Sequence, residues 1–117
     1  MLRVGTDIVA IDRIEKSINR FGDKFLRRFL TEEEIKLATK IDSFAGFWAS
    51  KEAISKALGC GIGKELSFLD IQIYKDTKGS PHFILSKKAK ERFQIKESSL
   101  SISHDKNFAI AVVVLNL

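Results

Sequence analysis

The segment from Trp48 to Gly59, Trp-Ala-Ser-Lys-Glu-Ala-Ile-Ser-Lys-Ala-Leu-Gly, constrains the fold of this chain more than any other stretch. Ala49, Ala53, Ile54, Ala57 and Leu58 recur at helical spacing, and Gly59 is a natural helix stop. The expected helix runs from Phe44 to Leu58. Glu52 and Lys56 stand four residues apart, so both rise from one face, one turn above the other. As an ordinary exposed pair they add about 0.2–0.5 kcal/mol to helix stability. As a functional pair they set a metal ligand or a base beside a cation.

A second carboxylate bears on that choice. Residues 2–9, Leu-Arg-Val-Gly-Thr-Asp-Ile-Val, read as a strand rich in β-branched side chains. Asp is depleted from strand interiors because its short side chain competes for the backbone. Asp7, flanked by Val4, Ile8 and Val9, therefore needs a metal, a cation, or water at a strand end. Alternatively the strand stops near Thr6 and Asp7 caps the helix that follows. Gly5 would let another backbone or a ligand approach closely.

The rest of the chain alternates helix and hairpin signals. A basic helix lies within Ile11–Leu30, broken near Gly22-Asp23, with Ile14, Ile18, Phe21, Phe25 and Phe29 as its core face. Thr31 and Glu34 fit a capping box opening a helix that runs to about Ile41. Gly59-Cys60-Gly61-Ile62-Gly63-Lys64 follows a helix, not a strand, so it reads as a helix stop and turn and not as a phosphate loop. Strands are expected at Phe68–Lys75 and His82–Leu85, joined by a turn containing Asp76 and Gly79. Ser86 caps a short helix, Lys87–Phe93. Leu100–Ser103 and Asn107–Leu115 read as a hairpin turning at His104-Asp105-Lys106. The unbroken apolar run 110–115 reads as a strand buried on both faces. Helices mixed with hairpin-connected strands make an α+β fold, with a small antiparallel sheet.

At 117 residues, 44% of them hydrophobic and 30% charged, the chain is the size of one domain, residues 1–117, with one core. It has no run long enough to span a bilayer and no signal-peptide pattern, so no membrane partner is expected. One cysteine, Cys60, cannot form an internal disulfide, which suits the cytoplasm. A net charge of +5 implies acidic partners. The charge is concentrated: from Ile11 to Leu30 six bases stand against three acids. Such a stripe is a solvated face by default, or a docking face for an acidic protein.

Gly5-Thr6-Asp7-Ile8-Val9, then Trp48-x-x-Lys51-Glu52-Ala53-x-x-Lys56, resembles the 4′-phosphopantetheinyl transferase superfamily, and its short type most of all. The resemblance continues through Leu58–Gly63, Leu66–Ile71, Lys78-Gly79-Ser80-Pro81 and Ser101–Asp105. It implies a small antiparallel sheet wrapped around helices, assembled as a homotrimer with active sites between subunits. It also implies transfer of 4′-phosphopantetheine from coenzyme A to a serine of apo acyl carrier protein, a step of fatty acid and lipid metabolism. Adenosine 3′,5′-bisphosphate is the other product. By the same resemblance Asp7 and Glu52 are the carboxylates for Mg²⁺, and Glu52 and Lys56 are the catalytic pair. Lys51, Ser55, Lys56, Gly59 and His104 then face coenzyme A, and Arg13 faces the carrier protein; Arg20, two helical turns further along on about the same face, is the second docking candidate. Some longer relatives carry a third acid where Val9 stands here. Relatives commonly carry Arg at the position of Phe47; its basic contact is then either lost here or supplied by Lys64 or Lys40.

The rival reading is a small basic nucleic-acid-binding domain. It accounts for the charge, but not for Asp7 or for the Glu52–Lys56 face, and the chain has no RNA-binding motif with strand aromatics. A phosphohydrolase using the same carboxylates would turn over without a carrier protein.

Overall fold

A computed structural model describes all 117 residues. The N-terminal strand β1 (Leu2–Ala10) and the C-terminal strand β5 (Phe108–Asn116) pair antiparallel along their whole lengths, Leu2 opposite Asn116 and Ala10 opposite Phe108. Strand β4 (Glu97–His104) takes the other edge of β5, giving a sheet of order β1-β5-β4. Four helices follow β1: α1 (Ile11–Phe21), α2 (Asp23–Phe29), α3 (Glu32–Leu37) and α4 (Ile41–Ala57). A 3₁₀ turn at Phe68–Asp70 leads into a separate hairpin, β2 (Ile71–Lys75) with β3 (Pro81–Leu85), and then α5 (Lys87–Phe93). The α+β organisation implied by the sequence is the one observed.

Helix α4 is the axis of the molecule and lies against β1 and β5. Ala45, Ala49, Ala53 and Ala57, four apart, are all buried. Small side chains along one stripe let a sheet approach the helix backbone closely. A Cβ on Gly5 would stand 1.9 Å from the Ala53 carbonyl oxygen, and one on Gly46 would stand 2.8 Å from Ile102 Cγ2. Above and below this contact the core fills with Phe29, Phe47, Ile54, Leu66, Ile71, Ile73, Val113 and Leu115. Truncating either buried Phe to Ala costs about 3–5 kcal/mol.

Several boundaries differ from the sequence reading, each for a local reason. The helix begun by the Thr31–Glu34 capping box, which is present, stops at Leu37 and not near Ile41, because Ala38 turns extended. Helix α4 then starts afresh at Ile41, three residues before the expected Phe44. Phe68–Asp70 is not strand. Asp70 bonds back to the Ser67 amide and hydroxyl and closes a tight turn instead. Phe21 belongs to no core: it sits at the end of α1, before Gly22 at φ +62°, and is 51% exposed. The largest correction is β5. Ala109, Ala111, Val113 and Leu115 point inward, but Phe108, Ile110, Val112 and Val114 face outward and exposed. They share that outer face with Leu2, Val4 and Ile8 of β1, which are exposed too. A sheet covered by α4 on one side only has one such free face.

Candidate active site

The close pass of Gly5 over Ala53 and Ala57 delivers Asp7, two residues on and on the same inward side of β1, to the exposed flank of α4. The strand does not end at Thr6. It continues to Ala10, so Asp7 is a mid-strand acid with a cation for its partner and not a helix cap. Lys56 Nζ lies 2.9 Å from Asp7 Oδ1 and 3.2 Å from the Thr6 carbonyl oxygen. Glu52, one turn earlier on α4, completes the group. Burial pushes its carboxyl up from the ordinary value and the charge of Asp7 adds to this, while Lys56 and Arg13 pull it down. Lys56 thus pairs across elements with Asp7, while its charge still reaches Glu52 one turn away.

Arg13 joins the same neighbourhood from α1. Its guanidinium stands 5.6 Å from the centre of the Trp48 ring. Trp48 in turn packs against Phe25, Phe29 and Phe68, so α2, α4 and the 3₁₀ turn meet in one aromatic cluster, with Arg13 of α1 over its Trp48. Arg20 lies two turns further along α1, over the ring of Phe21. Phe21, Lys24, Phe25 and Arg28 line a shallow basic pocket of about 160 Å³ next to it. Arg13 and Arg20 are both exposed.

Two residues expected to face coenzyme A face the core instead. Lys51 is fully buried, and its ammonium donates to the Phe29 carbonyl at 2.6 Å, to Glu34 Oε1 at 2.8 Å and to the Phe68 carbonyl at 3.1 Å. Three donors with three partners leave nothing for a phosphate. Burial holds its pKa down, against the pull of Glu34. Ser55 is buried as well, and its hydroxyl donates to the Glu52 carbonyl at 2.7 Å. The physical reason is angular: Lys51 and Ser55 are four apart on the inward side of α4, and Glu52 and Lys56 are four apart on the outward side. Gly59, at φ +82°, ends this helix in the open, with its amide bonded to the Lys56 carbonyl.

His104 lies elsewhere. Its Nδ1 stands 3.5 Å from Asp42 Oδ2 at the opposite end of α4. Ten residues of helix between Asp42 and Glu52 correspond to about 15 Å. His104, Asp42, Gly46, Phe47, Lys75 and Pro81 border a second cavity, of about 120 Å³. Phe47 itself is core, as its apolar character suggests. Asp42 escaped the sequence reading entirely, and Glu34 was legible only as a helix cap. In fact Glu34 also accepts from Lys51 and from the Ile73 amide.

The donor set suits a hard divalent cation. Asp7 and Glu52 present two carboxylates close enough for one to raise the other, and no cluster of three or more His, Cys, Asp or Glu side chains suited to a metal exists in the chain. Two carboxylates completed by phosphate and water oxygens are how Mg²⁺ is usually held.

Strand, helix and site define a 4′-phosphopantetheinyl transferase, and residues 3–113 match the model of the "4'-phosphopantetheinyl transferase superfamily". The chain belongs to that family. Within it, the chain is similar to the holo-[acyl-carrier-protein] synthase of Sulfurovum sp. (strain NBC37-1), 55% identical across 98% of this chain and 97% of the relative. It is likewise similar to that of Helicobacter pylori (strain ATCC 700392 / 26695), 58% identical across 97% and 96%. The crystal structure of the Helicobacter pylori enzyme in complex with coenzyme A superposes with a TM-score of 0.93, over 97% of this chain and 99% of that one. The Bacillus anthracis enzyme in complex with CoA (3',5'-ADP), 44% identical, superposes with a TM-score of 0.81 over 97% and 94%.

Proposed function

We propose that this chain is a holo-[acyl-carrier-protein] synthase that moves 4′-phosphopantetheine from coenzyme A to a serine of apo acyl carrier protein, with Mg²⁺ held by Asp7 and Glu52. The observation that carries the reading is the convergence of Asp7, Glu52 and Lys56 where β1 crosses α4. The serine oxygen attacks the phosphopantetheine phosphorus. The phosphorus–oxygen bond to the adenylate side breaks, and adenosine 3′,5′-bisphosphate leaves. Glu52 takes the serine proton, directly or through a water. Lys56, half-exposed and mobile, donates to the departing phosphate oxygen. When bound, the cation neutralises the diphosphate and fixes it for in-line attack.

The acceptor docks on α1 and α2. Arg13 beside the carboxylates, Arg20, and the pocket of Phe21, Lys24, Phe25 and Arg28 offer basic and apolar contacts together, as an acidic helical protein requires. The working form is a homotrimer, and the apolar outer face of β1 and β5 is what supports association of copies. Three-fold stoichiometry is read from the family resemblance alone. His104 serves coenzyme A in a cleft completed by a neighbouring copy, since within one chain it stands a helix length away from Glu52. No helix is long and apolar enough to cross a membrane; the enzyme is read as cytoplasmic.

Intact mass of apo acyl carrier protein, incubated with this chain, coenzyme A and Mg²⁺, tests the proposal. A gain of one phosphopantetheine, lost on adding a chelator, is the expected result. No gain from folded protein that still binds coenzyme A refutes the acceptor.

A further inference from the structure

The Asp7–Lys56 ion pair joins a fixed partner to a mobile one. Asp7 is held by the strand: its backbone pairs opposite Ala111, and Gly5 locks the crossing over Ala53. Its side chain is 15% exposed, while that of Lys56 is 52% exposed. The carboxylate therefore sits inside the site and the ammonium at its mouth, on a flexible four-carbon stem. Asp7 Oδ1, which accepts from that ammonium at 2.9 Å, is one of the few oxygens the site can give a divalent cation.

We propose that Lys56 competes with the divalent cation for Asp7, so that tight cation binding waits for a diphosphate to draw the ammonium away. The inference rests on the reading of Asp7 and Glu52 as the cation's ligands. A doubly charged ion on Asp7 repels an ammonium beside the same oxygen, so one must yield. Lys56 needs an acceptor to yield to. In the isolated chain its two partners are Asp7 and the Thr6 carbonyl, and both belong to the cation's own corner. The diphosphate of coenzyme A supplies phosphoryl oxygens to Lys56 and to the cation at once. Cation and diphosphate then strengthen each other by one common factor, as linkage requires. The cation's arrival and the delivery of Lys56 to the leaving phosphate become a single event.

Titration with Mn²⁺, read by the electron spin resonance of the free ion, tests this without any turnover. The proteins are wild type, Lys56→Met, Lys56→Gln and Asp7→Asn, each with and without coenzyme A, corrected for Mn²⁺ bound by coenzyme A alone. Removing the ammonium should tighten Mn²⁺ binding in the absence of coenzyme A by about tenfold, the exposed charge being largely screened. The same variants should lose most of the tightening that coenzyme A gives the wild type, and Met and Gln should agree. Mn²⁺ binding no tighter in either Lys56 variant than in wild type overturns the competition. If Asp7→Asn then still abolishes binding, the carboxylate site survives and only the competition falls. If Asp7→Asn binds Mn²⁺ as well as wild type, the metal-site reading falls and the competition with it.

Discussion

Lys51→Met separates the buried reading of this lysine from the phosphate-binding role that its place in the Lys-Glu motif implies. Methionine keeps the length of the stem and removes the charge. Three acceptors then lose their donor inside the core: the carbonyls of Phe29 and Phe68, and Glu34 Oε1, whose side chain is also fully buried. Glu34 keeps only the amides of Thr31 and Ile73. Stranding one member of a buried pair costs about 3–5 kcal/mol. With an unfolding entropy of about 2.1 cal/mol/K per residue over 117 residues, each kcal/mol is worth about 4 °C, so Tm falls by about 12–20 °C. Adding Glu34→Gln removes the stranded charge and keeps an oxygen for one of the two amides. The double variant should therefore lose less than the two single losses together, by about 1–3 kcal/mol. Circular dichroism melts and urea midpoints give the stabilities. Initial rates, taken at a temperature where the variants are folded, give KM for coenzyme A, which should stay within about twofold, under 0.5 kcal/mol, of wild type. A variant that melts within about 4 °C of wild type yet shows a KM raised about tenfold refutes the argument, because the ammonium would then be meeting substrate.

Gly5→Ala drives a Cβ to 1.9 Å from the Ala53 carbonyl oxygen and 2.9 Å from the Ala57 amide nitrogen, both backbone atoms. Strand and helix must part, at a cost of at least about 1–3 kcal/mol, and carrier-protein modification should fall even at temperatures where the variant is folded; unchanged melting and activity would disprove the close crossing. Glu52 has a folded-state pKa raised above its unfolded value, so its contribution to stability is present below the ordinary 4.5 and lost as pH rises through the raised value. Glu52→Gln should therefore melt higher than wild type at neutral pH and equal to it below pH 4.5, while losing transfer; a variant less stable at neutral pH contradicts the burial argument. Val112→Asp puts a charge in the middle of the exposed face of β5, opposite Thr6 and Ser101. Light scattering should then give the mass of one chain with the circular dichroism unchanged, and an unaltered oligomer would clear that face of any role.

The parts of this molecule that were legible in the sequence are those encoded over short distances. The capping box at Thr31–Glu34, the Gly22 break and the Ser86 cap each need three or four residues, and all are present. Asp7 was legible because an acid inside a β-branched strand is anomalous wherever it occurs, and Gly5 because a glycine in a strand admits the close approach of another backbone or a ligand. Lys51 was not. Its partners are 17 to 22 residues away in sequence, so a lysine beside a glutamate reads as surface until the fold is known. The same blindness applies to Glu34, whose cap role hides two further contacts. Strand β5 was misread because an unbroken apolar run has the same appearance whether the second face meets its own chain or something else.

That outward face and the placement of His104 have one physical origin. Helix α4 covers only the inner side of the three-stranded sheet, and its length holds Asp42 and His104 at one end and Glu52 and Lys56 at the other. A chain that needed only itself would gain by making the outer positions of β5 polar, as those of β4 are with Ser99, Ser101 and Ser103. Instead Phe108, Ile110, Val112 and Val114 alternate along the central strand, each at a cost in exposed apolar area. In the homotrimer proposed above, contact between copies is what would offset a cost carried at four successive outward positions. If His104 meets coenzyme A across that contact, as proposed above, loss of association (light scattering) and loss of coenzyme A binding (calorimetry) should accompany each other in variants of this face.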